Sequence, residues 1–370
     1  MNKIPYVNLA AQWQRERDRL LPIIEAVLAS GQYIGGEQVE AFERQSAALC
    51  QTRHCIALNS GTDALVCGLL ALGVGPGDEV ITPPNSFIAS TAAIVHVGAK
   101  PVFVDVLPDQ NIDPAKLAAA ISPATKAIMP VHLTGRMARM DEINAIAVRH
   151  GIDIIEDAAQ AVGSRYLDIP SGKWGKVACF STHPLKNLNA CGDGGFLVTD
   201  DDEIARQVRL MRNHGLADRN TVERFGSVSR MDALQAAILN FRISELDAVT
   251  AARRSNALLY RELLDRTKIY IADDQSSEFN TYHTFVVQVS ERDLLRMELL
   301  EAGIETAVHY PVPIHLQPAA KALGCTRGSF PVTERQAGRI LTLPVHQYLT
   351  PDDIAEIAKQ VNRLSRNEGS

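Results

Sequence analysis

Neither a long hydrophobic run, nor a paired cysteine motif, nor a block of like charge occurs in the 370-residue sequence, and each absence closes off a class of protein. The longest mostly apolar stretch, Ala64 to Val74, contains glycines and is too short to span a bilayer. The opening MNKIPYVNLAAQWQRERDR lacks the apolar core of a secretory signal and is soon heavily charged, so a cytoplasmic location is expected. Six scattered cysteines without a CxxC pair (Cys50, Cys55, Cys67, Cys179, Cys191, Cys325) read as reduced thiols, mostly core fillers. Only Cys191 stands apart, beside a glycine-rich turn. The closest histidine pair, His309 and His315, lies in a proline-rich loop and matches no metal pattern, so no metal is expected. A net charge of -6 gives no basic footprint for nucleic acid, and no internal repeat or low-complexity segment is present.

What is present suffices for a large domain and a smaller one, with 46% hydrophobic and 22% charged residues. From His54 to Thr199, apolar runs (HCIAL, EVITP, PVFV, AIMPV, IDIIE, VACF, FLVT) alternate with segments of helical apolar spacing. Strands separated by helices imply parallel pairing with helices on both faces, and near-continuous apolar strands fit a sheet buried on both sides. The close pair VACF and FLVT leaves room for one antiparallel strand. After Asp200 come a helical pattern stopped by Gly215, a polar loop and one or two long helices. Strand patterns follow at KIYIA and TYHTFVVQV, with helical patterns at RDLLRMELLEAG and PDDIAEIAKQVNRLS. The expected architecture is an α/β domain over residues 1–247, with an N-terminal arm and a mostly parallel central sheet. A smaller C-terminal α+β domain is expected over residues 248–370, with the boundary inside the long helix near Asp247.

In an open α/β sheet, ligands bind outside the carboxyl ends of the strands. Those ends collect Asn59-Ser60-Gly61-Thr62-Asp63, then Asn85-Ser86-Phe87, His132 and Thr134, Asp157 and Gln160, and finally Ser181, His183 and Lys186. Such a set suits an anionic, planar, electron-withdrawing ligand. The SGTDAL turn offers backbone N–H groups at a helix N-terminus, an anion site, although Ser60 or Thr62 alone would be an ordinary cap. Ser181 supplies a second hydroxyl, and Phe87 an aromatic face. Asp157, expected to open a helix over AAQAV, suits the nitrogen of a pyridine ring, with Gln160 one turn further on. Lys186 sits among apolar and small residues before the tight Gly192-Asp193-Gly194-Gly195 turn, and a desolvated amine has the lowered pKa that bonding to an aldehyde requires. The glycine turn lacks the order of a phosphate loop and serves instead to pack backbone around the lysine.

The order SGTDAL, PPNSFIAS, IEDAAQAVGS, FSTHPLKNLNACGDGG, RNHG and SRMDALQAAI resembles the DegT-type sugar aminotransferases, a branch of the fold type I pyridoxal-phosphate enzymes. The resemblance runs from about Pro5 to the HYPVPIHLQPA loop. It implies pyridoxal 5'-phosphate bonded to Lys186, Asp157 on the ring nitrogen and Gln160 on the ring oxygen. It further implies Thr62, Asp63 and Ser181 at the phosphate and Phe87 over the ring. It implies a homodimer with shared active sites that moves an amino group, in many members from L-glutamate, to a keto sugar, usually nucleotide-linked; a keto sugar phosphate is the alternative. His183, His309 and Tyr310 are candidate substrate contacts. A related branch that dehydrates sugars carries histidine at the lysine position, so Lys186 argues against it. Lys186, Asp157 and Gln160 together argue against a cofactor-binding sensor without turnover.

The sequence departs from that pattern in three places. Val228 stands where members usually carry an asparagine that reaches the other subunit's cofactor phosphate, with Ser227 and Ser229 beside it. His183 replaces the usual aromatic residue before Pro184, and Thr134 replaces a tyrosine. Each is expected near the acceptor or cofactor, which points toward a less common acceptor.

Overall fold

The computed structural model describes residues 3–366. Seven strands form the central sheet in the order His54–Leu58, Gly195–Thr199, Val177–Ser181, Asp153–Asp157, Thr125–Ile128, Glu79–Thr82 and Lys100–Phe103. Gly195–Thr199 runs antiparallel to both of its neighbours, and the other pairings are parallel. The seven apolar runs of the sequence all fall on these strands, and FLVT is the reversed one.

Both faces of the sheet are covered, as the strand composition requires. Ile56 and Leu58 turn to one face, where they meet Leu65 and Leu69 of the helix Gly61–Ala71 and Ile204 and Val208 of the helix Asp202–Met211. Cys55 and Ala57 alternate to the other face, against Phe42 and Leu239. Phe180 and Phe196 stack there with ring centroids 4.6 Å apart. Four of the six cysteines are buried and Cys191 is exposed.

A separate apolar cluster gathers Tyr260, Phe285, Leu295, Leu299, Leu341, Ile354, Ile357 and Val361, with Ile4 from the N-terminal segment. The helix Leu246–Leu263 connects the two regions: Leu246 packs in the large-sheet core, Ala257 and Tyr260 in the second cluster. Within it, Phe285–Gln288 pairs antiparallel with Ile340–Leu343.

Two local expectations fail and one strand is new. KIYIA makes only a single bridge, Tyr270 with Gln288, because beyond it the carbonyls of Ala272 and Asp273 accept from the Arg136 and Arg261 guanidinium groups instead of a neighbouring strand. The strand Ile340–Leu343 has no counterpart in the sequence reading. No helix follows Asp157: residues 158–164 form tight turns, with Ala161 N–H on the Ala158 carbonyl and Ser164 N–H on the Ala161 carbonyl. Gly163 at φ +77° and the Ser164 hydroxyl, held by the Gly135 carbonyl, return the chain at once into the short strand Arg165–Tyr166. No helix among the described residues is long and apolar enough to cross a membrane.

Candidate active site

The carboxyl edge of the sheet opens into a cavity of about 430 Å³, within the size range of small-molecule sites. Asp157 and Ser181 are the last residues of their strands, and Ser60 and Phe87 follow two others. The cavity is walled by Gly61, Thr62, Phe87, Asp157, Gln160, Ser181 and Lys186 from the sheet side, with His183, His309 and Tyr310 also lining it. Of the residues expected from the sequence to contact cofactor or substrate, Asp63 alone is not among those lining it. Its N–H is taken by the Ser60 side chain (3.0 Å), which caps the helix Gly61–Ala71.

The first intrahelical bond of that helix runs from Ala64 N–H to the Ser60 carbonyl, so the N–H groups of Gly61 and Thr62 precede the ladder and lie at the positive end of the helix. A Cβ at Gly61 would lie 2.7 Å from the Ser181 Cβ, so glycine is what lets the two strand ends close up. Gly195 does the same from the other side: a Cβ there would lie 2.5 Å from both Gly61 N and the Ser60 oxygen. A Cβ at Gly194 would collide with the Thr182 hydroxyl. The glycine turn therefore packs against the strand ends beside Gly61, and its Asp193 and Gly194 line the cavity together with Lys186.

Lys186 is half-buried by area because it faces the cavity, yet it lies deep enough that desolvation pulls its amine from 10.5 to about 8, against the pull of Asp157 in the other direction. Asp157 is buried, and desolvation raises its carboxyl above the usual range. The Ser90 hydroxyl (2.6 Å) and the Ala159 N–H (3.2 Å) donate to it, and Lys186 and His132 favour its charge. A protonated ring nitrogen facing this carboxylate would complete its set of partners, so the buried charge fits a pyridinium.

Gln160 is held by its main-chain neighbour: Thr134 N–H donates to its Oε1 at 2.9 Å. Thr134 lines a smaller recess with Arg136 and Arg261 and does not line the main cavity. Val228 is also outside it, 48% exposed on the loop that pairs with Asn213. Only the His183 departure faces the cavity directly.

The opposite wall was not legible in the sequence. Tyr6, Arg253, His283 and His346 reach the cavity from distant segments. Burial lowers the basicity of all three histidines on that side: His309 and His346 to about 4, His283 well below its ordinary value. His309 contacts the Thr342 hydroxyl through Nδ1 (3.0 Å), and the Phe87 and Tyr310 rings lie 5.8 Å apart. His283 Nδ1 is buried without a partner.

A seven-stranded sheet with one reversed strand, an anion turn, and a depressed lysine in the field of a buried carboxylate define a pyridoxal-phosphate enzyme of fold type I. The chain belongs to the DegT/DnrJ/EryC1/StrS aminotransferase family, whose model matches residues 14–362. It is 43% identical to the erythromycin biosynthesis sensory transduction protein EryC1 of Saccharopolyspora erythraea, over 94% of this chain and 95% of that protein. It is 41% identical to the dTDP-3-amino-3,4,6-trideoxy-alpha-D-glucose transaminase of Streptomyces venezuelae, over 94% and 92%. The structure of S. venezuelae DesV in complex with a ketimine intermediate matches with a TM-score of 0.96 at 40% identity, over 98% of both chains. The chain is accordingly a pyridoxal-phosphate-dependent sugar aminotransferase.

Proposed function

We propose that the protein transfers the amino group of an amino acid, L-glutamate, to a nucleotide-linked keto sugar. The observation that carries this reading is the lowered pKa of Lys186 in a cavity it shares with Asp157 and the anion turn. The bound cofactor supplies an aldehyde that bonds amines and a ring that withdraws electrons. Lys186 would anchor it, the N–H groups of Gly61 and Thr62 with the Ser181 hydroxyl would hold its phosphate, and Asp157 its ring nitrogen. Gln160, fixed by Thr134 N–H, would meet the ring oxygen, and Phe87 would cover one face. Released by the incoming amino donor, Lys186 Nζ is neutral often enough near pH 8 to take the proton from the donor's α-carbon and later to return one to the sugar carbon. His183, His309 and Tyr310, which line the same cavity, would contact the sugar. The nucleotide-linked acceptor is supported by the dTDP-sugar relative. The protein would act as a homodimer, a reading supported by Phe225, 99% exposed beside Val222 and Val228 on one loop.

The test is a two-stage assay on the cofactor-loaded protein. Added L-glutamate should abolish the visible absorption band and release 2-oxoglutarate. A nucleotide-linked keto sugar should then restore the band and yield an amino sugar. Restoration by a keto sugar phosphate alone would move the acceptor to that class, and an unchanged band with every amino acid would refute the activity.

A further inference from the structure

The loop that carries Lys186 does little to hold itself. Residues 182–194 form neither helix nor strand. Around the lysine the main chain contributes two bonds, Lys186 N–H to the His183 carbonyl (2.8 Å) and Ala190 N–H to the Thr182 carbonyl (2.7 Å). Side chains do the rest. The Asn189 amide donates to the Pro184 carbonyl (2.8 Å) and so closes the chain around Leu185, Lys186 and Asn187. Asn189 is itself fixed from outside the loop. Its amide and that of Gln12 donate to each other's oxygens, both at 3.0 Å, and Arg242 Nη1 donates to the Asn189 carbonyl (2.7 Å). Gln12 also donates to Glu16 (3.0 Å), and Glu16 pairs with Arg242 (2.7 Å).

All four of these side chains are buried. Gln12 and Glu16 lie on the helix Leu9–Ser30, and Arg242 on the helix Ala233–Ile243. Apolar residues would fill the same space without the cost of desolvating two amides and an ion pair, so what the polar set adds is direction. The charges of Glu16 and Arg242 cancel within their pair, and the field on the Lys186 amine comes from Asp157 instead, so the set acts on the lysine through geometry. We propose that Gln12 and Asn189 are positioning residues for Lys186, an amide clamp that aims its amine into the cavity by holding the Pro184 carbonyl. Neither amide residue lines the cavity. The inference rests on Lys186 as the cofactor lysine.

The test mixes cofactor-free protein with pyridoxal phosphate and follows the rise of the visible band. That rise reports the bond formed between the Lys186 amine and the aldehyde, with loss of water, and needs neither donor nor acceptor. Varying the cofactor separates the two events: the saturating rate reports bonding, the half-saturating concentration reports capture. Gln12→Ala should lower the saturating rate about 10-fold. Asn189→Ala, which also frees the Pro184 carbonyl, should lower it about 100-fold, the order that a misplaced reacting group costs, with capture within about threefold of the wild type in both. The double variant should match Asn189→Ala within about twofold, because Gln12 acts through Asn189. Arg19→Ala is the control for docking of the helix: Arg19 ties it to Glu245 and Phe241 and bonds to nothing in the loop, so the rate should not change. An unchanged rate in Gln12→Ala overturns the proposal. So do effects that multiply in the double variant, or an equal loss of rate in Arg19→Ala, either of which marks a general loosening of the helix. If an alanine variant does not fold, Gln12→Glu or Asn189→Asp, each of which keeps an acceptor for the other amide, takes its place, and an unchanged rate again overturns the proposal. A wild type that forms no visible band would instead remove Lys186 as the cofactor lysine, and this inference with it.

Discussion

Gly195→Ala adds one methyl group at the point where the reversed strand starts against the anion turn, and it should damage cofactor binding more than folding. Its φ is not in the left-handed region, so alanine meets no backbone penalty of its own. The added carbon would stand 2.5 Å from Gly61 N and from the Ser60 oxygen, roughly 1 Å closer than ordinary contact. Both neighbours are main chain and cannot rotate away, so the turn itself must shift. Overpacking of this kind typically costs about 1–3 kcal/mol, a fall in melting temperature of roughly 1–4 °C for the cofactor-free protein. The same shift moves the Gly61 and Thr62 N–H groups, and each hydrogen bond to a charged phosphate is worth about 1.5–3 kcal/mol, so pyridoxal-phosphate affinity should fall about 10- to 100-fold. Gly192→Ala is the control, because its Cβ would meet only the flexible end of Gln235, at 3.2 Å. The assay is titration of cofactor-free protein with pyridoxal phosphate, read by absorbance, beside thermal melts. A Gly195→Ala variant that binds within threefold of the wild type would refute the claim that this turn holds the phosphate.

Lys186→Ala should lower turnover at least about 1,000-fold while leaving the fold intact by circular dichroism, since the proposed mechanism makes one amine both anchor and proton carrier; retention of a tenth of the activity would exclude it. The rate at which cofactor-free protein takes up pyridoxal phosphate should rise with pH and level off above about pH 8, because the depressed Lys186 amine loses its proton there rather than at 10.5. At pH 7 this gives about 300-fold more neutral amine than an ordinary lysine, and a rate still climbing tenfold per pH unit at pH 9.5 would contradict the lowered pKa. Ser90→Ala removes the 2.6 Å donor to Asp157, so the carboxyl pKa should rise further and kcat fall about 10-fold, with a larger deficit at low pH; a pH profile that does not move would show that Ser90 does not tune Asp157.

The half of the site built on strand ends was legible because a buried parallel sheet leaves a strong signal and places its ligands at one edge. Apolar runs located Asp157, Ser181 and Lys186, and motif order grouped them. The opposite wall left no such signal. Arg253 sits in the helical run AARRSNAL, where a lysine- or arginine-rich pattern ordinarily means a solvated face. His283 and His346 become cavity residues only through the packing of the second cluster on the helix Leu246–Leu263. The failed helix after Asp157 has the same origin. AAQAV has helical composition, but Gly163 and the Ser164 contact with Gly135 override it through tertiary structure.

That division bears on the acceptor. Thr134 and Val228 drew attention as departures from the family pattern, yet neither lines the cavity of its own chain. Gln160 takes its orientation from the Thr134 main chain, whose φ of 66° sets the N–H direction, so the loss of a tyrosine side chain there leaves the bond to Gln160 in place. On the proposed reading, the residues left to distinguish one keto sugar from another are His183, His309 and Tyr310, which line the cavity with Phe87. His309 and Tyr310 come from a loop tied to the cofactor side through the Phe87–Tyr310 ring contact and the bond from Ile314 N–H to the Pro84 carbonyl. Phe87 and Pro84 belong to the same turn after the strand Glu79–Thr82, the turn proposed to cover the cofactor. With Tyr310 on the acceptor and Phe87 on the cofactor as proposed, their ring contact would couple the two, and substitutions at Tyr310 should alter the visible spectrum as well as the choice of sugar.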